Sequence, residues 1–337
     1  MMNLREDQRL RLFSTCPPSN ASSPDDYRRL VADVAKWSER CGCEGILVYS
    51  DNSLVDAWLA SQIIIENTTR LAPLVAIQPV YMHPYTIAKL IATIGFLHGR
   101  RIYLNMVAGG FKNDLEALND STPHDQRYAR LIEYTTIILS LLRTAGAISY
   151  TGEFYKVDKL KMTPPLPDAL VPGVFVSGSS EAGVAAARAL GATAVKYPKP
   201  AAEEAAPGES GDWGMRVGII ARPDAREAWR IARSRFPEDR KGQLTHQLAM
   251  KVSDSVWHQQ LSQIPGEAPE SPYWLVPFQN YKTMCPYLVG SYEVVADEIA
   301  RYVALGYRSF ILDIPPTLED LQHTTAAFAR ALEPVAQ

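Results

Sequence analysis

The run VFVSGSSEAGVAAARALGATAVKY, residues 174–197, decides the fold. Val174 to Ser177 is a short apolar strand, and Gly178-Ser179-Ser180 is a turn. An alanine-rich helix follows over 181–190, and a second strand over 193–197. Strand, helix and strand in direct succession make a crossover unit whose two strands lie parallel.

The same alternation extends both ways. Upstream, strands are predicted over 10–13, 45–49, 71–77 and 102–106. Between them lie a helix capped by Asp25 or Asp26, with Tyr27, Leu30, Val31, Val34 and Cys41 on one face, and a second helix over 55–68. A third opens at Pro84 and closes at His98-Gly99, and a long one covers 124–143. A hairpin over 148–157 turns at Thr151-Gly152. Downstream, strands over 215–220 and 309–312 are flanked by helices over 223–236, 294–305 and 318–332.

Eight strands alternating with helices predict an α/β fold closed into a (β/α)8 TIM barrel. A doubly wound sheet is the structural rival, but no Gly-x-Gly-x-x-Gly follows the first strand. One domain is expected over 1–337, with residues 237–288 inserted between strands seven and eight. That segment is too long for a barrel loop, with a helical stretch over 241–261 and a Pro-rich span through Pro286. It reads either as a lid over the site or as a helical hairpin packed permanently outside the barrel.

Composition narrows the function. The 337 residues are 47% hydrophobic and 21% charged, which excludes disorder as the main state. A net charge of −3 leaves no electrostatic footprint for nucleic acid or an anionic membrane. The polar start Met-Met-Asn-Leu-Arg-Glu-Asp is unlike a signal peptide, and no apolar run is of membrane-spanning length. A cytoplasmic location is therefore expected. The four cysteines, Cys16, Cys41, Cys43 and Cys285, show no metal-ligand spacing with histidine, and no metal site is expected.

In such barrels the chemistry sits where strands hand over to helices. Those positions are Ser14 to Cys16, Ser50 to Leu54, Gln78 to His83, Val107 to Phe111, Gly178 to Ser180, Tyr197-Pro198, Val217 to Arg222 and Asp313-Ile314. Gly178-Ser179-Ser180 at a helix start supplies N–H donors and two hydroxyls, a seat for phosphate. A Ser N-cap after a turn glycine satisfies the same residues. His124-Asp-Gln-Arg127-Tyr128 offers several donors on consecutive turns, or else a solvated helix start. Asn105-Met-Val107-Ala108-Gly109-Gly110 admits a flat ring close to the backbone, and is equally a turn. Arg216, alone in an apolar strand, requires a carboxylate or a bound anion.

Asp56-Ala57-Trp58, His83-Pro84 with Gly99-Arg100, and Asn105-Met-Val107-Ala108-Gly109 come first among a set of ordered motifs. His124-x-x-Arg127-Tyr128, Tyr150-x-Gly-x-Phe154-Tyr155 and Gly178-Ser-Ser-Glu-Ala follow. In this order they resemble the bacterial luciferase-like flavin-dependent monooxygenase superfamily, and within it most resemble the two-component alkanesulfonate monooxygenases. The resemblance implies reduced FMN supplied by a separate NAD(P)H-dependent flavin reductase, with O2 as co-substrate. One oxygen atom would pass to a small organic or carrier-bound substrate. The resemblance further implies that Gly178, Ser179, Ser180 and Tyr128 hold the flavin phosphate, while Asn105, Ala108 and His124 line the flavin. It also implies a homodimer or homotetramer joined through helices early in the barrel.

Departures from the sulfonate enzymes are equally specific. Leu54 stands where they carry cysteine, and their strand-seven Arg-x-His appears as Arg216-Val217-Gly218. Their tyrosine after strand eight aligns with Ile314, and their loop arginine falls near Tyr281, with Lys282 the nearest cation. Cys16, Leu54, Tyr281 and Ile314 are the expected substrate contacts, and Arg216 the expected catalytic cation. Asp212 or Asp313 would instead neutralise Arg216 and make it structural. A sulfonate needs convergent cations when desolvated, so a substrate other than a simple alkanesulfonate is expected. A deazaflavin-dependent oxidoreductase of the same superfamily and a non-catalytic flavin-binding protein are the alternatives.

Overall fold

The computed structural model describes residues 9–109, 112–206, 212–252, 256–267 and 271–333. Its first half runs β1 (Arg11–Thr15), α1 (Pro24–Arg40), β2 (Gly45–Val48), α2 (Ala57–Asn67), β3 (Ala72–Ile77), α3 (Pro84–His98), β4 (Tyr103–Val107), α4 (Lys112–Ala117), α5 (His124–Arg143), β5 (Ala147–Thr151) and β6 (Lys156–Lys161). Then come β7 (Gly173–Ser177), α6 (Glu181–Leu190), β8 (Thr193–Lys196), β9 (Asp212–Arg222), α7 (Ala225–Arg235), α8 (Arg240–Val252) and α9 (Val256–Ser262). The chain continues through β10 (Tyr273–Trp274), α10 (Val276–Gln279), β11 (Tyr287–Ser291), α11 (Tyr292–Ala304), β12 (Tyr307–Leu312) and α12 (Leu318–Ala331).

Strands pair in the order β12-β1-β2-β3-β4-β7-β8-β9, all parallel, and β9 returns to β12, so the barrel closes. The TIM barrel expected from the alternation is present, and the unit β7-α6-β8 is one crossover in its wall. Local chemistry sets the helix starts. Ser23, rather than Asp25 or Asp26, caps α1 by accepting from the Asp26 N–H, and the two acids occupy the first turn. Asp56 accepts from the N–H groups of Trp58 and Leu59, so α2 begins two residues later than its apolar pattern suggests. His83 caps α3, and Gly99 at φ 58° ends it in the left-handed conformation that favours glycine.

Inside the barrel the alternation of strand side chains divides a packed floor from an open upper layer. Phe13, Leu47, Leu74, Tyr103, Phe175 and Ile311 belong to one buried cluster. The Phe13 ring meets Tyr103 and Phe175 edge-on, with centroids 5.3 and 5.1 Å away. Two residues further up β4 and β7, Asn105 and Ser177 follow Tyr103 and Phe175 on the inward side and line a cavity. Hydrophobic burial closes the floor, and polar residues begin immediately above it.

The insertion grows from the seventh barrel strand. The lower half of β9 pairs with β12, while Gly218 to Arg222 leave the barrel and pair with β11, which in turn carries antiparallel β10. The helix expected over 241–261 is present as α8 and α9 on either side of residues 253–255, which lie outside the described residues. The short α4 carries no signal in the sequence reading, because six residues are too few for a periodic face. Among the described residues 197–206 no helix follows β8; 207–211 lie outside the description. So do residues 1–8, which include the polar N-terminal start, and Gly110 and Phe111 of the loop after β4.

No helix among the described residues is long and apolar enough to cross a membrane. All four cysteines are free, and no group of three or more potential metal ligands occurs among the described residues.

Candidate active site

A cavity of about 270 Å³ opens above the barrel floor at the C-terminal ends of the strands. That volume is near the lower end for small-molecule sites. Leu54, Asn105, Ala108, His124, Tyr128, Gly178, Ser179, Ser180 and Arg216 all line it. Nine residues named from sequence, on five separate segments, thus share one space.

On one side the wall is built from β4, β7 and the start of α6. Asn105 is buried and accepts through Oδ1 from the Ser177 hydroxyl at 2.7 Å. Ser180 caps α6, its Oγ accepting from the Gly183 N–H at 3.2 Å. The neighbouring Ser179 Oγ is buried and has no hydrogen-bond partner among the described residues. Gly178 is required here, because a Cβ at this position would stand 2.3 Å from the Tyr128 hydroxyl oxygen. Tyr128 is thereby pressed against the helix start, with the His124 ring edge-on to it at 5.3 Å. Asp120 fixes the loop before α5, accepting from the Thr122 N–H and hydroxyl and from Arg130 at 2.6 Å. Burial alone would raise its pKa, but these donors hold it at about 2.

Across the cavity, β9 supplies Arg216, which is buried. Its guanidinium lies 3.7 Å from Asp313 Oδ1 and 4.8 Å from the centre of the Tyr49 ring. Asp212, the other candidate partner, pairs with Arg11 at the opposite end of the barrel wall. Asp313 Oδ2 accepts from the Tyr287 hydroxyl at 2.6 Å. Burial and the Asp313 charge push Tyr287 well above the usual phenol range, so it stays a donor. The thiol of Cys285 beside Arg216 is likewise pushed up by burial and by Asp313. A Cβ on Gly218 would stand 2.3 Å from the Tyr287 ring, so a tyrosine from the insertion covers this glycine.

Three expected contacts lie elsewhere. Cys16 is buried in the outer core with its thiol raised to about 12 by burial and bonded to Tyr27, and it does not line the cavity. The alternation explains this: Phe13 and Thr15 share one side of β1, and Cys16 takes the other. Ile314 lines a separate small crevice with Asp313, Tyr287 and Asp320. Tyr281 has φ 57° and packs near His246 at 6.0 Å; Met284, three residues on, lines the cavity from this segment. Strand-end positions in the sequence cover Ser50, Asp51, Gln78, Val107 and Tyr197, which also line the cavity. Tyr49, Ser177 and Met284 carry no such signal: two sit one residue below the handover, and the third belongs to the insertion.

The family model described as luciferase-like monooxygenase matches residues 10–309. The chain belongs to that family. Luciferase-like monooxygenases are generally flavin-dependent, and their enzymatic character extends to this chain. It is 34% identical over 308 residues to the 4-(gamma-L-glutamylamino)butanoyl-[BtrI acyl-carrier protein] monooxygenase BtrO of Niallia circulans, spanning 88% of this chain and 90% of that protein. The long-chain alkane monooxygenase LadA shares the fold at a TM-score of 0.74 and 16% identity, covering 97% of this chain and 93% of that one. An F420-dependent secondary alcohol dehydrogenase does so at 0.66 and 14%, covering 96% and 100%. At these identities the two structures speak for the fold of this luciferase-like chain alone.

Proposed function

We propose that this luciferase-like monooxygenase uses reduced FMN and O2 to oxygenate an acyl group presented on a carrier protein. The observation that carries the flavin half is the buried, unpartnered Ser179 hydroxyl at the start of α6. A buried hydroxyl without a partner is costly, and at a helix N-terminus it is matched by an anion such as the flavin phosphate. Gly178, Ser180 and Tyr128 complete that seat, and Asn105, Ala108 and His124 border the ring. Bound reduced flavin supplies the electrons that activate O2.

The chain's own residues supply binding, orientation and the exclusion of water. Ser177 holds the Asn105 amide in one orientation. Arg216, held by Asp313, presents a fixed positive charge to the cavity, where it favours developing negative charge on the transferred oxygen or on the substrate. The insertion over 237–288 places Met284 against the cavity and acts as a cover that keeps water from the reaction. The carrier-bound acyl substrate rests on the relationship to BtrO, which spans nearly the whole chain. A flavin reductase partner accompanies this reading. So does a homo-oligomer through α2 and α3, which expose Leu59, Phe96 and Leu97.

The test is anaerobic titration with reduced FMN and, separately, reduced F420, followed by mixing with O2 and substrate. Tight FMN binding and oxygenated acyl product are expected. Preference for F420 without O2 consumption would replace the reading by hydride transfer. Sulfite release from C2 to C10 alkanesulfonates at about 1 per second or more would restore the sulfonate assignment.

A further inference from the structure

The helix α8 offers an outward face that neither the cavity nor the fold accounts for. Its inner side is pinned to the segment leading to the cavity. Gly242 approaches so closely that a Cβ would lie 2.1 Å from the Asn280 carbonyl oxygen. Gln243 donates to Asn280 Oδ1 at 3.0 Å, and the His246 ring packs on Phe278 at 4.7 Å. Asp239, one residue before α8, pairs with Lys282 at 2.6 Å. Met284, two residues past Lys282, lines the cavity, and two residues of extended chain span at most about 7 Å. The N-terminal half of α8 therefore stands beside the cavity rim.

The opposite side of the helix carries Lys241, Leu244, Thr245 and Leu248, at the i, i+3, i+4, i+7 spacing of one helical stripe. All four are exposed, Leu244 at 61% and Leu248 at 64%. Arg240 is exposed beside them. A large apolar side chain on an inserted helix gains nothing from water, and two in register with a lysine form a surface with a partner's chemistry. Arg240 and Lys241 put two adjacent exposed cations at the N-terminal end of this stripe, in a chain whose net charge is −3.

We infer that the Lys241-Leu244-Leu248 face of α8, with Arg240, docks an acidic acyl-carrier protein and delivers its tethered acyl group to the cavity. This rests on the carrier-bound substrate proposed above. A carrier brings its substrate on a flexible arm, so its body must sit close to the rim but outside it, which is where α8 stands. Carboxylates of the carrier meet Arg240 and Lys241, and its apolar residues meet the leucine pair, so steering and affinity come from different parts of one face.

The probes are the BtrI acyl-carrier protein loaded with 4-(gamma-L-glutamylamino)butanoyl and the same acyl group on pantetheine alone. Wild-type turnover of both tests the carrier reading itself; turnover of neither removes that reading and the docking site with it. Given wild-type turnover, K241E and the double variant L244E/L248E are compared on the two probes. At least a tenfold lower kcat/KM on the carrier, with pantetheine-thioester turnover within twofold of wild type, is expected. The carrier rate of wild type should also fall as salt rises. Equal rates on the carrier for variants and wild type would overturn the assignment. So would a parallel loss on both probes, which would make the face structural, or a change in oligomeric mass with carrier turnover unchanged, which would make it a contact between copies.

Discussion

The two walls of the cavity are polar in opposite ways. Around β4, β7 and α6 the polar groups are small, neutral and incompletely engaged, and the Ser179 hydroxyl is buried without a partner. Around β9 and β12 the groups are charged and linked, running from Arg216 to Asp313 to the Tyr287 hydroxyl, although the Arg216 Nε is also buried without a hydrogen-bond partner among the described residues. Buried charges are tolerated only when paired, so the second wall is assembled before any ligand arrives. A lone buried hydroxyl costs far less, so the first wall can keep one open for a ligand. Each wall thus keeps one buried polar atom without a protein partner, a neutral hydroxyl on the first and the Nε of a paired cation on the second.

The largest expected effect strikes the paired wall. Arg216→Met leaves the Asp313 carboxylate buried without its cation and should lower stability by about 3 kcal/mol in urea denaturation. Turnover should be lost as well. Arg216→Met with Asp313→Asn should recover part of the stability and none of the activity. If the single variant is as stable as wild type, the walls do not differ as described.

Gly178→Ala attacks the open wall through packing. A Cβ at 2.3 Å from the Tyr128 oxygen forces the ring away, at a cost of about 2 kcal/mol. Tyr128→Phe in the same chain removes the hydroxyl and should return most of the loss. No rescue would show that Tyr128 is not what requires glycine.

Ser179→Ala sharpens the contrast by changing sign with the ligand. Without flavin the variant should be as stable as wild type or more so by up to ~1 kcal/mol, since an unsatisfied hydroxyl disappears. With flavin phosphate present its affinity should drop by ~1–2 kcal/mol, read by titration. Losses of equal size in both states would mean that the hydroxyl already has a partner in the protein.

The smallest effect is on acid stability. Asp120 is held at about 2 against the ordinary 3.8, so its contribution is present above pH 4 and disappears as pH falls through 2. Asp120→Asn should remove that dependence and cost about 1 kcal/mol at neutral pH, after allowance for solvent screening. Identical acid titration of variant and wild type would place the support of α5 elsewhere.

Much of this molecule follows from the sequence alone. Apolar periodicity marks all eight barrel strands, because a parallel strand buried on both faces must be apolar throughout. Helix ends at His83, Gly99 and Ser180 follow from local hydrogen bonding that needs no distant partner. The positions of Gly178 to Ser180 follow from the rule that strand ends meet over the barrel mouth, while those of Asn105, His124 and Tyr128 come from the resemblance to the luciferase-like family. Other features depend on packing between distant segments. Which of Asp212 and Asp313 would pair with Arg216 is undecided by spacing. The barrel sends Asp212 to one end of β9 and brings Asp313 alongside from β12. The departure of β9 from the barrel at Gly218 draws in β11, and only that pairing sets the Tyr287 ring over the glycine. Cys16, Ile314 and Tyr281 do not line the cavity; Cys16 takes the outer side of β1, since a single residue along a strand reverses a side chain, and Ile314 lines a separate crevice. Sequence carries the period and the punctuation. The side on which each residue lands, and the charge it meets there, is settled when the barrel closes.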